Sequence, residues 1–245
     1  MRRIKIAIAY DGTDYYGFQR QKDKPSVQGR IEEALFKKLG CEIKINGASR
    51  IDRGAHAEGQ VIAFSESSKM TPDEIKRALN SVLPKDIVVL EATEVSLDFN
   101  PRHAKERVYR YTILNQETRS CFLRKYSYFY PFSLNVRKMR EATEFIIGRH
   151  DFSPFSGKGW RNPYREIKEI KIKRRFGEHK ERLIIFDITG DSFLPQMIRT
   201  IIGGILEVGK GKKDISYLKN ILSKKAEKPF IVPALGLSLS EVSYK

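Results

Sequence analysis

The amino-acid sequence predicts an α+β protein of two similar α/β halves, residues 1–100 and 101–245, that share one β-sheet. Three observations predict this class. Segments with apolar side chains at every second position alternate with segments of helical spacing. The same mixed order of elements occurs in both halves. Around residues 99–103 the composition turns polar and basic, which marks the junction. At 245 residues the chain is long enough for one large or two ordinary core-forming domains.

The elements of the first half follow from local patterns. Residues 4–10 alternate apolar with polar or small side chains, which predicts a half-buried strand. Ser26 can cap a helix with one apolar face, and Gly40 can end it. Thr71-Pro72-Asp73-Glu74 is a capping box that begins a second helix, which ends before Pro84. Three further segments are predicted to be strands: 41–46, 61–64 and 87–90.

The second half is predicted to begin with a strand from Val108 to Leu114. Tyr109, Tyr111 and Ile113 share one face of it, and Arg110 lies on the other. The remaining predicted elements are a helix at 135–147 ended by Gly148, strands at 167–173 and 183–189, an apolar helix over 192–209, a helix at 215–222 and a closing strand at 235–239.

Charge is the strongest compositional signal. There are 46 Lys and Arg against 30 Asp and Glu, a formal charge of +16 and a pI near 9.8. Such a surface suits a polyanion, so nucleic acid is the expected partner. The alternative is a basic protein without that partner. We expect no membrane, because the sequence has no amphipathic basic helix, lipidation motif, spanning segment or signal peptide.

Cys41 and Cys121 are isolated in the sequence. Their separation matches neither metal-ligand spacing nor a disulfide framework, so we expect a reducing, cytoplasmic location and no metal site.

The segment from Gly47 to Gln60 is the leading candidate for chemistry. Asp52 lies between Arg50 and Arg53, and two guanidinium groups can keep a carboxylate ionised and oriented. A carboxylate so placed can act as a nucleophile or a base. The alternative is an exposed ion-paired turn that contributes about 0 to 1 kcal/mol and does no chemistry.

Residues 10–21 are a second candidate segment. They combine tyrosines, Gln19 and Arg20, a mixture that can stack on bases and contact phosphates. The alternative is a tyrosine-rich packing loop.

Both segments resemble signatures of the TruA-type tRNA pseudouridine synthases. The pattern of the active-site signature is Gly/Ser-Arg-Thr-Asp-x-Gly-Val-His-Ala, and residues 10–21 resemble the N-terminal signature. Ile51 and Ala55 replace the usual Thr and Val. The matching positions are Arg50, Asp52, Gly54, His56 and Ala57.

Two more stretches resemble motifs of that family. Tyr109-Arg110-Tyr111 resembles the motif whose first tyrosine stacks on the target base, so that role falls to Tyr109, and Tyr111 is expected to pack. Residues 192–209 resemble the motif whose arginine contacts the catalytic aspartate. Arg199 is the only charge in the apolar part of that run, and burying it without a carboxylate would be costly, so Asp52 is its expected partner. A surface arginine is the alternative.

The loop before residue 165 gives weaker candidates. Trp160, flanked by Lys158 and Arg161, could line an RNA path or anchor a surface loop. His150 and Asp151 have no further ligands nearby in sequence, which favours a structural role over a metal site.

The resemblance implies isomerisation of uridine to pseudouridine in the anticodon stem-loop of tRNA, near positions 38 to 40, by a homodimer without a cofactor. It also implies a mixed, mostly antiparallel sheet with helices on one face and a central basic cleft. The expected catalytic roles are Asp52 as nucleophile, Arg199 as its partner, Tyr109 as base-stacking group and Arg50 as base-flipping group. The expected substrate-binding residues are Tyr109, Arg53, His56, Gln19, Arg110 and Trp160.

Two other functions stay open. A non-catalytic RNA-binding protein or chaperone would share the charge and the aromatic loops. A nuclease or N-glycosidase would usually need a metal cluster or a second catalytic carboxylate, and the sequence shows neither pattern.

Overall fold

The computed structural model describes residues 1–157 and 160–244. These form two compact units: the first comprises Met1–Lys105 and the segment from Ser238 onward, and the second comprises Glu106–Leu237. The division differs from the predicted halves at the C-terminus. The last strand belongs with the first unit because Ser238 pairs in parallel with His56.

The strands and helices have the following bounds in chain order: β1 Arg2–Tyr10, α1 Val27–Leu39, β2 Asn46–Gly47, β3 His56–Glu66, α2 Pro72–Asn80, β4 Ile87–Val95, β5 Glu106–Leu114, β6 Tyr128–Phe129, α3 Val136–Thr143, β7 Gly148–Asp151, β8 Tyr164–Phe176, β9 Arg182–Gly190, α4 Met197–Gly209, α5 Tyr217–Leu222 and β10 Leu237–Ser243.

The first unit contains the strand order β4-β1-β3-β10, with β2 paired to β3. β1 is antiparallel to both neighbours, and Ile4, Ile6 and Ile8 on its inner face are fully buried. α1 and α2 contribute apolar side chains to the core of this unit. Burial of this apolar surface is the main stabilising contribution to the unit.

Both predicted helix starts in this unit are confirmed. The Ser26 side chain accepts a hydrogen bond from the Gly29 N–H, and Gly40 ends α1 in the left-handed conformation at φ 71°. At α2, Thr71 and Glu74 cap each other's backbone N–H groups reciprocally.

The second unit contains the antiparallel order β5-β9-β8-β7, with the short β6 parallel to β5. The alternation predicted for β5 is confirmed, since Tyr109, Tyr111 and Ile113 are buried and Arg110 is not. α4 is almost wholly buried, as its apolar sequence requires. The observed class is therefore the predicted mixed α+β, mostly antiparallel one.

Several predicted elements are shorter than expected. Of the strand predicted at 41–46, only Asn46 pairs with β3, as part of the two-residue strand β2, because the Ile45 N–H donates to the Glu32 carboxylate instead. The helix predicted at 135–147 changes to a 3₁₀ turn after Thr143. The run from 192 becomes helical only at Met197, since Gln196 has a left-handed φ of 61°.

Other boundaries also shift. The helix predicted at 215–222 begins at Tyr217 because the Ser216 N–H donates to the Asp214 side chain. The closing strand begins at Leu237, after a 3₁₀ turn at Ala234–Gly236. The predicted strands at 61–64, 87–90, 167–173 and 183–189 are all longer than expected.

Candidate active site

The loop that carries Asp52 is fastened at both ends to the sheet of the first unit. β2 pairs with β3, and beyond it the Ala48 N–H donates to the Val61 carbonyl at 2.8 Å. The fully buried Gln60 side chain makes two hydrogen bonds with the backbone of Ser49. Its Nε2 donates to the Ser49 carbonyl at 2.8 Å, and its Oε1 accepts from the Ser49 N–H at 3.3 Å. An amide with both ends bonded fixes the direction in which the loop leaves the sheet.

Residues 11–18 lie directly against the Asp52 loop. The Phe18 N–H donates to the Ile51 carbonyl at 3.1 Å, and the Gly54 N–H donates to the Tyr15 carbonyl at 3.3 Å. These two bonds bracket Asp52 in sequence. The N-terminal segment therefore holds the backbone on both sides of Asp52, besides any role toward RNA.

Two glycines permit this close contact between backbones. A Cβ on Gly12 would lie 1.8 Å from the Ala55 carbonyl oxygen, and a Cβ on Gly17 would lie 2.7 Å from the Ile51 oxygen. Gly17 also has a φ of 94°, which L side chains rarely adopt. A side chain at either position would push the two segments apart.

His56, at the C-terminal end of the Asp52 loop, also contacts residues 11 and 12. The Gly12 N–H donates to His56 Nδ1 at 3.0 Å, and the same nitrogen lies 3.3 Å from Asp11 Oδ1. Only 6% of the histidine is exposed. These contacts hold the imidazole ring against residues 11 and 12.

The charged side chains of the loop differ in exposure. Asp52 is half-buried, and its carbonyl accepts from the Ala55 N–H at 3.2 Å to close a turn through Gly54. Arg50 and Arg53 are exposed. The Arg53 guanidinium carbon lies 4.0 Å from the centre of the Tyr16 ring, which is a cation–π contact.

Ile51 lies on the inner side of the loop and is 6% exposed. Its apolar side chain is therefore buried while its carbonyl holds Phe18. A threonine at this position would place a hydroxyl where the present chain has an aliphatic group.

In the second unit, β5 presents the tyrosine pair. Tyr109 is buried and meets Phe193 edge to face, with ring centres 5.3 Å apart. Tyr111 is fully buried, and its hydroxyl donates to the Pro233 carbonyl at 2.8 Å. Burial raises the pKa of Tyr111, and the nearby charge of Arg199 opposes that rise. Tyr111 therefore packs, as predicted.

Arg199 lies in the first turn of α4 and is half-buried. Its Nε donates to the Val232 carbonyl at 2.7 Å, and the Val232 N–H donates back to the Arg199 carbonyl at 3.4 Å. One edge of the guanidinium is thus held by backbone. The predicted partner, Asp52, belongs to the other unit, and the pairing stays a prediction.

The other predicted binding residues occupy varied surroundings. Arg110 is half-buried, with its Nε 2.8 Å from Asp187 Oδ1. Gln19 is exposed, and Trp160 is 38% exposed. Lys158, expected beside Trp160, lies outside the described residues.

His150 and Asp151 make local contacts of a structural kind. His150 Nε2 lies 3.0 Å from the Ile147 carbonyl, and the Asp151 carboxylate accepts from the Ser153 N–H at 2.8 Å. Burial opposes ionisation of Asp151, but its hydrogen bonds with Ser153 and Lys224 outweigh this and lower its pKa. No three His, Cys, Asp or Glu side chains cluster as metal ligands within residues 1–157 and 160–244.

Sequence reasoning missed one anchor of the site. The Tyr15 hydroxyl donates to the Asp86 carboxylate at 2.8 Å, and the Asp86 carbonyl accepts from the Asp11 N–H at 2.9 Å. Burial raises the pKa of Tyr15, and the hydrogen bond to Asp86 adds to the rise. Asp86 follows Pro84 in a turn and carries no local signal of this role.

Comparison with known proteins gives a family and close relatives. The family model described as tRNA pseudouridine synthase matches residues 6–103 and 142–245. The chain is 41% identical over 251 residues to "tRNA pseudouridine synthase A" of Clostridium kluyveri, and 40% identical over 250 residues to the protein of that name from Caldicellulosiruptor bescii. A Thermotoga protein of that name is 37% identical over 249 residues. All three matches cover 100% of both chains.

Among solved structures, the archaeal box H/ACA sRNP Nop10-Cbf5 complex matches with a TM-score of 0.35 and 11% identity. The match covers 83% of this chain and 43% of that chain. A likeness at this level carries no argument about function. In the described part of the chain, each helix is too short or too polar to cross a bilayer.

Proposed function

The chain belongs to the tRNA pseudouridine synthase family, and on that premise we propose that it converts uridines of the anticodon stem-loop, at positions 38 to 40, to pseudouridine. The family relationship itself makes the protein an isomerase that acts on tRNA uridine. The proposal concerns the target positions and the residues that perform the reaction.

One observation carries the assignment of the active site. Asp52 lies on a loop that is bonded on one side to β3 through Ala48 and Gln60, and on the other side to residues 11–18. Catalytic groups act best when their surroundings hold them in the reactive geometry before substrate arrives. The backbone contacts of this loop provide such support.

The reaction breaks the bond between uracil N1 and ribose C1′ and forms a bond between C5 and C1′. The uracil turns over in between, the C5 hydrogen is released as a proton, and N1 gains a proton. Atoms and charge balance without an external reactant, so the reaction requires no cofactor. Asp52 acts as the nucleophile or stabilises the sugar while the base is detached.

The remaining roles follow the sequence motifs. A stacked uridine must leave its helix at a cost of about a few kcal/mol. Arg50, which is exposed beside Asp52, fills the vacated space, and Tyr109 stacks on the extruded uracil. Arg199 keeps Asp52 ionised. The edge contact with Phe193 would hold the Tyr109 ring in place, and the hydrogen bond to the Val232 carbonyl would hold Arg199.

Substrate binding rests on charge and on side chains that are exposed or, for Arg110, half-buried. The net charge of +16 favours a polyanion, and Arg53, Gln19, Arg110 and Trp160 supply cationic, amide and aromatic groups. His56 was also predicted to bind substrate. Its burial and its bond to Gly12 favour a positioning role for it instead.

The test compares the wild-type chain with Asp52→Asn on unmodified tRNA. Pseudouridine should form at positions 38 to 40 with the wild type, and Asp52→Asn should lose turnover while binding tRNA as tightly. Asp73→Asn, an exposed carboxylate on α2, is the matched control and should keep both properties. Full turnover by Asp52→Asn would remove Asp52 from the mechanism, and binding without turnover by the wild type would leave a non-catalytic RNA-binding protein.

We also propose a homodimer in the cytoplasm. Light scattering of the purified chain should give twice the mass of the 28.3 kDa monomer. A monomeric mass at the concentrations used for turnover would contradict the dimer.

A further inference from the structure

A groove in the second unit is lined by cations from α3, from β8 and from the end of α4, and it has no part in the active site described above. Its volume is about 880 Å³. The basic residues that line it are Arg137, Lys138, Arg140, Lys173, Arg174, Arg175 and Lys210. No carboxylate is among its lining residues, all of which lie in the described part of the chain. Seven cations without an acid in the lining create a strongly positive local potential.

Two of these cations are already paired. Arg137 Nε lies 2.9 Å from Glu141, and Lys210 Nζ lies 2.9 Å from Glu207. Lys210 also lies over the rings of Tyr130 and Phe230. These contacts give the two residues partners within the protein.

Five cations, in contrast, have no ion-pair partner within residues 1–157 and 160–244. They are Lys138, Arg140, Lys173, Arg174 and Arg175, and all are exposed. Surface cations that serve only solubility are usually interspersed with acids, as Arg137 is with Glu141. A set of five on facing elements raises their mutual repulsion, which a bound anion would relieve.

Two guanidinium groups are held in place by the walls of the groove. Arg140 Nε on α3 donates to the Ile172 carbonyl of β8 at 2.9 Å, and Arg174 Nη2 on β8 donates to the Leu134 carbonyl before α3 at 3.1 Å. Each bond uses one of five N–H donors and leaves the planar fork available. A fork that is already oriented loses less entropy when it binds a phosphate in bidentate fashion.

The start of α3 is tied to the end of α4 beside the groove. The Asn135 N–H donates to the Gly209 carbonyl at 2.9 Å, and a Cβ on Gly209 would lie 2.6 Å from Met139 Sδ. Arg199 and Lys210 stand at opposite ends of α4, about 16 Å apart at the rise of an α-helix. The groove is therefore separate from the Arg199 end of that helix.

We propose that this groove binds the phosphate backbone of the tRNA substrate at a place away from the reacting uridine. The inference rests on the proposed function, since an enzyme of tRNA is the reason to favour RNA over an acidic protein. Phosphate contacts position a nucleic acid without reading its sequence. The groove would thus orient the body of the tRNA.

The test uses the double variant Lys138→Gln with Lys173→Gln, because both side chains are exposed and neither makes a side-chain hydrogen bond or ion pair in the described part of the chain. The matched control is Lys69→Gln with Lys85→Gln, two exposed lysines of the first unit. The dissociation constant for unmodified full-length tRNA is measured over a range of salt concentrations. The groove variant should bind tRNA more weakly than the wild type. The magnitude of its slope in a plot of log affinity against log salt concentration should be smaller than that of the wild type by about 2.

Equal affinity and slope in the groove variant and the control would overturn the proposal and leave an acidic protein as the partner class. Circular dichroism of both variants tests whether a loss of affinity comes from unfolding, and we expect both to be folded. Pseudouridine formation by the wild type is measured in parallel, so failure of the proposed function is seen separately from failure of the groove.

Discussion

The contact between Gly12 and the Asp52 loop predicts a large effect from a single methyl group. The substitution is Gly12→Ala, whose Cβ would lie 1.8 Å from the Ala55 carbonyl oxygen. An ordinary contact is 3.4 Å, so the two backbones must separate by about 1.6 Å. Gly12 has no left-handed φ, so the cost is steric alone.

A separation of that size also breaks the 3.0 Å bond from the Gly12 N–H to His56 Nδ1. Overpacking costs about 1 to 3 kcal/mol, and a buried acceptor without a donor costs a further 1 to 3 kcal/mol, roughly. The free energy of unfolding should therefore fall by about 2 to 6 kcal/mol. Because Asp52 is three residues from Ala55, a shift near 1 Å should also lower turnover about 100-fold.

Two assays check this prediction. Urea unfolding gives the free energy, and turnover is followed by release of the C5 hydrogen from tRNA that is labelled at uracil C5. Turnover is measured at a temperature where circular dichroism shows the variant folded. Gly157→Ala is the control, since its Cβ would meet no atom within 4 Å and its φ is not left-handed. If Gly12→Ala matches the control in both assays, the contact does not support Asp52.

Three further predictions concern pH, packing and salt. Burial alone would raise the pKa of Glu66, but hydrogen bonds from Ser68 and Arg2 outweigh it and hold the pKa below its ordinary value of 4.5. The ionised Glu66 thus stabilises the fold above about pH 4.5, and that contribution is lost as the pH falls through the folded-state pKa. At neutral pH, Glu66→Gln should be less stable than the wild type, and it should lose less stability than the wild type on acidification. Urea unfolding at several pH values measures both effects. Parallel curves of unfolding free energy against pH for the two proteins would contradict this. Tyr111→Phe should lower the free energy of unfolding by about 1 kcal/mol through loss of the bond to Pro233, whereas Tyr164→Phe, on an exposed ring, should leave it unchanged. Affinity for tRNA should fall steeply between about 50 and 200 mM salt, and a flat profile would count against a phosphate-binding surface.

The helix caps could be predicted from sequence because each depends on residues within one turn. Ser26 acts on Gly29, and Thr71 acts on Glu74, three residues away in both cases. The alternation of β5 was predictable for a similar reason, since the period of a strand is local. These features need no knowledge of the rest of the chain.

Features that depend on distant residues were predicted poorly. The strand predicted at 41–46 has the right apolar pattern, yet its pairing is replaced at Ile45 by the carboxylate of Glu32, thirteen residues earlier. The return of β10 to the first unit depends likewise on pairing with His56, 182 positions before Ser238. Periodicity identifies such segments, but it carries no information about which neighbour satisfies their backbone groups.

The same distinction applies within the candidate site. Its residues could be named from the motif, but the reason for the loop's shape lies in partners 44 residues away, such as Gly12 for His56. This explains how Ile51 can stand where the family signature has threonine. The loop is fixed by the carbonyl of residue 51, which Phe18 holds, and by Gln60, so its path depends on backbone atoms that either residue supplies. The side chain of Ile51 adds apolar burial to a path that the backbone already sets.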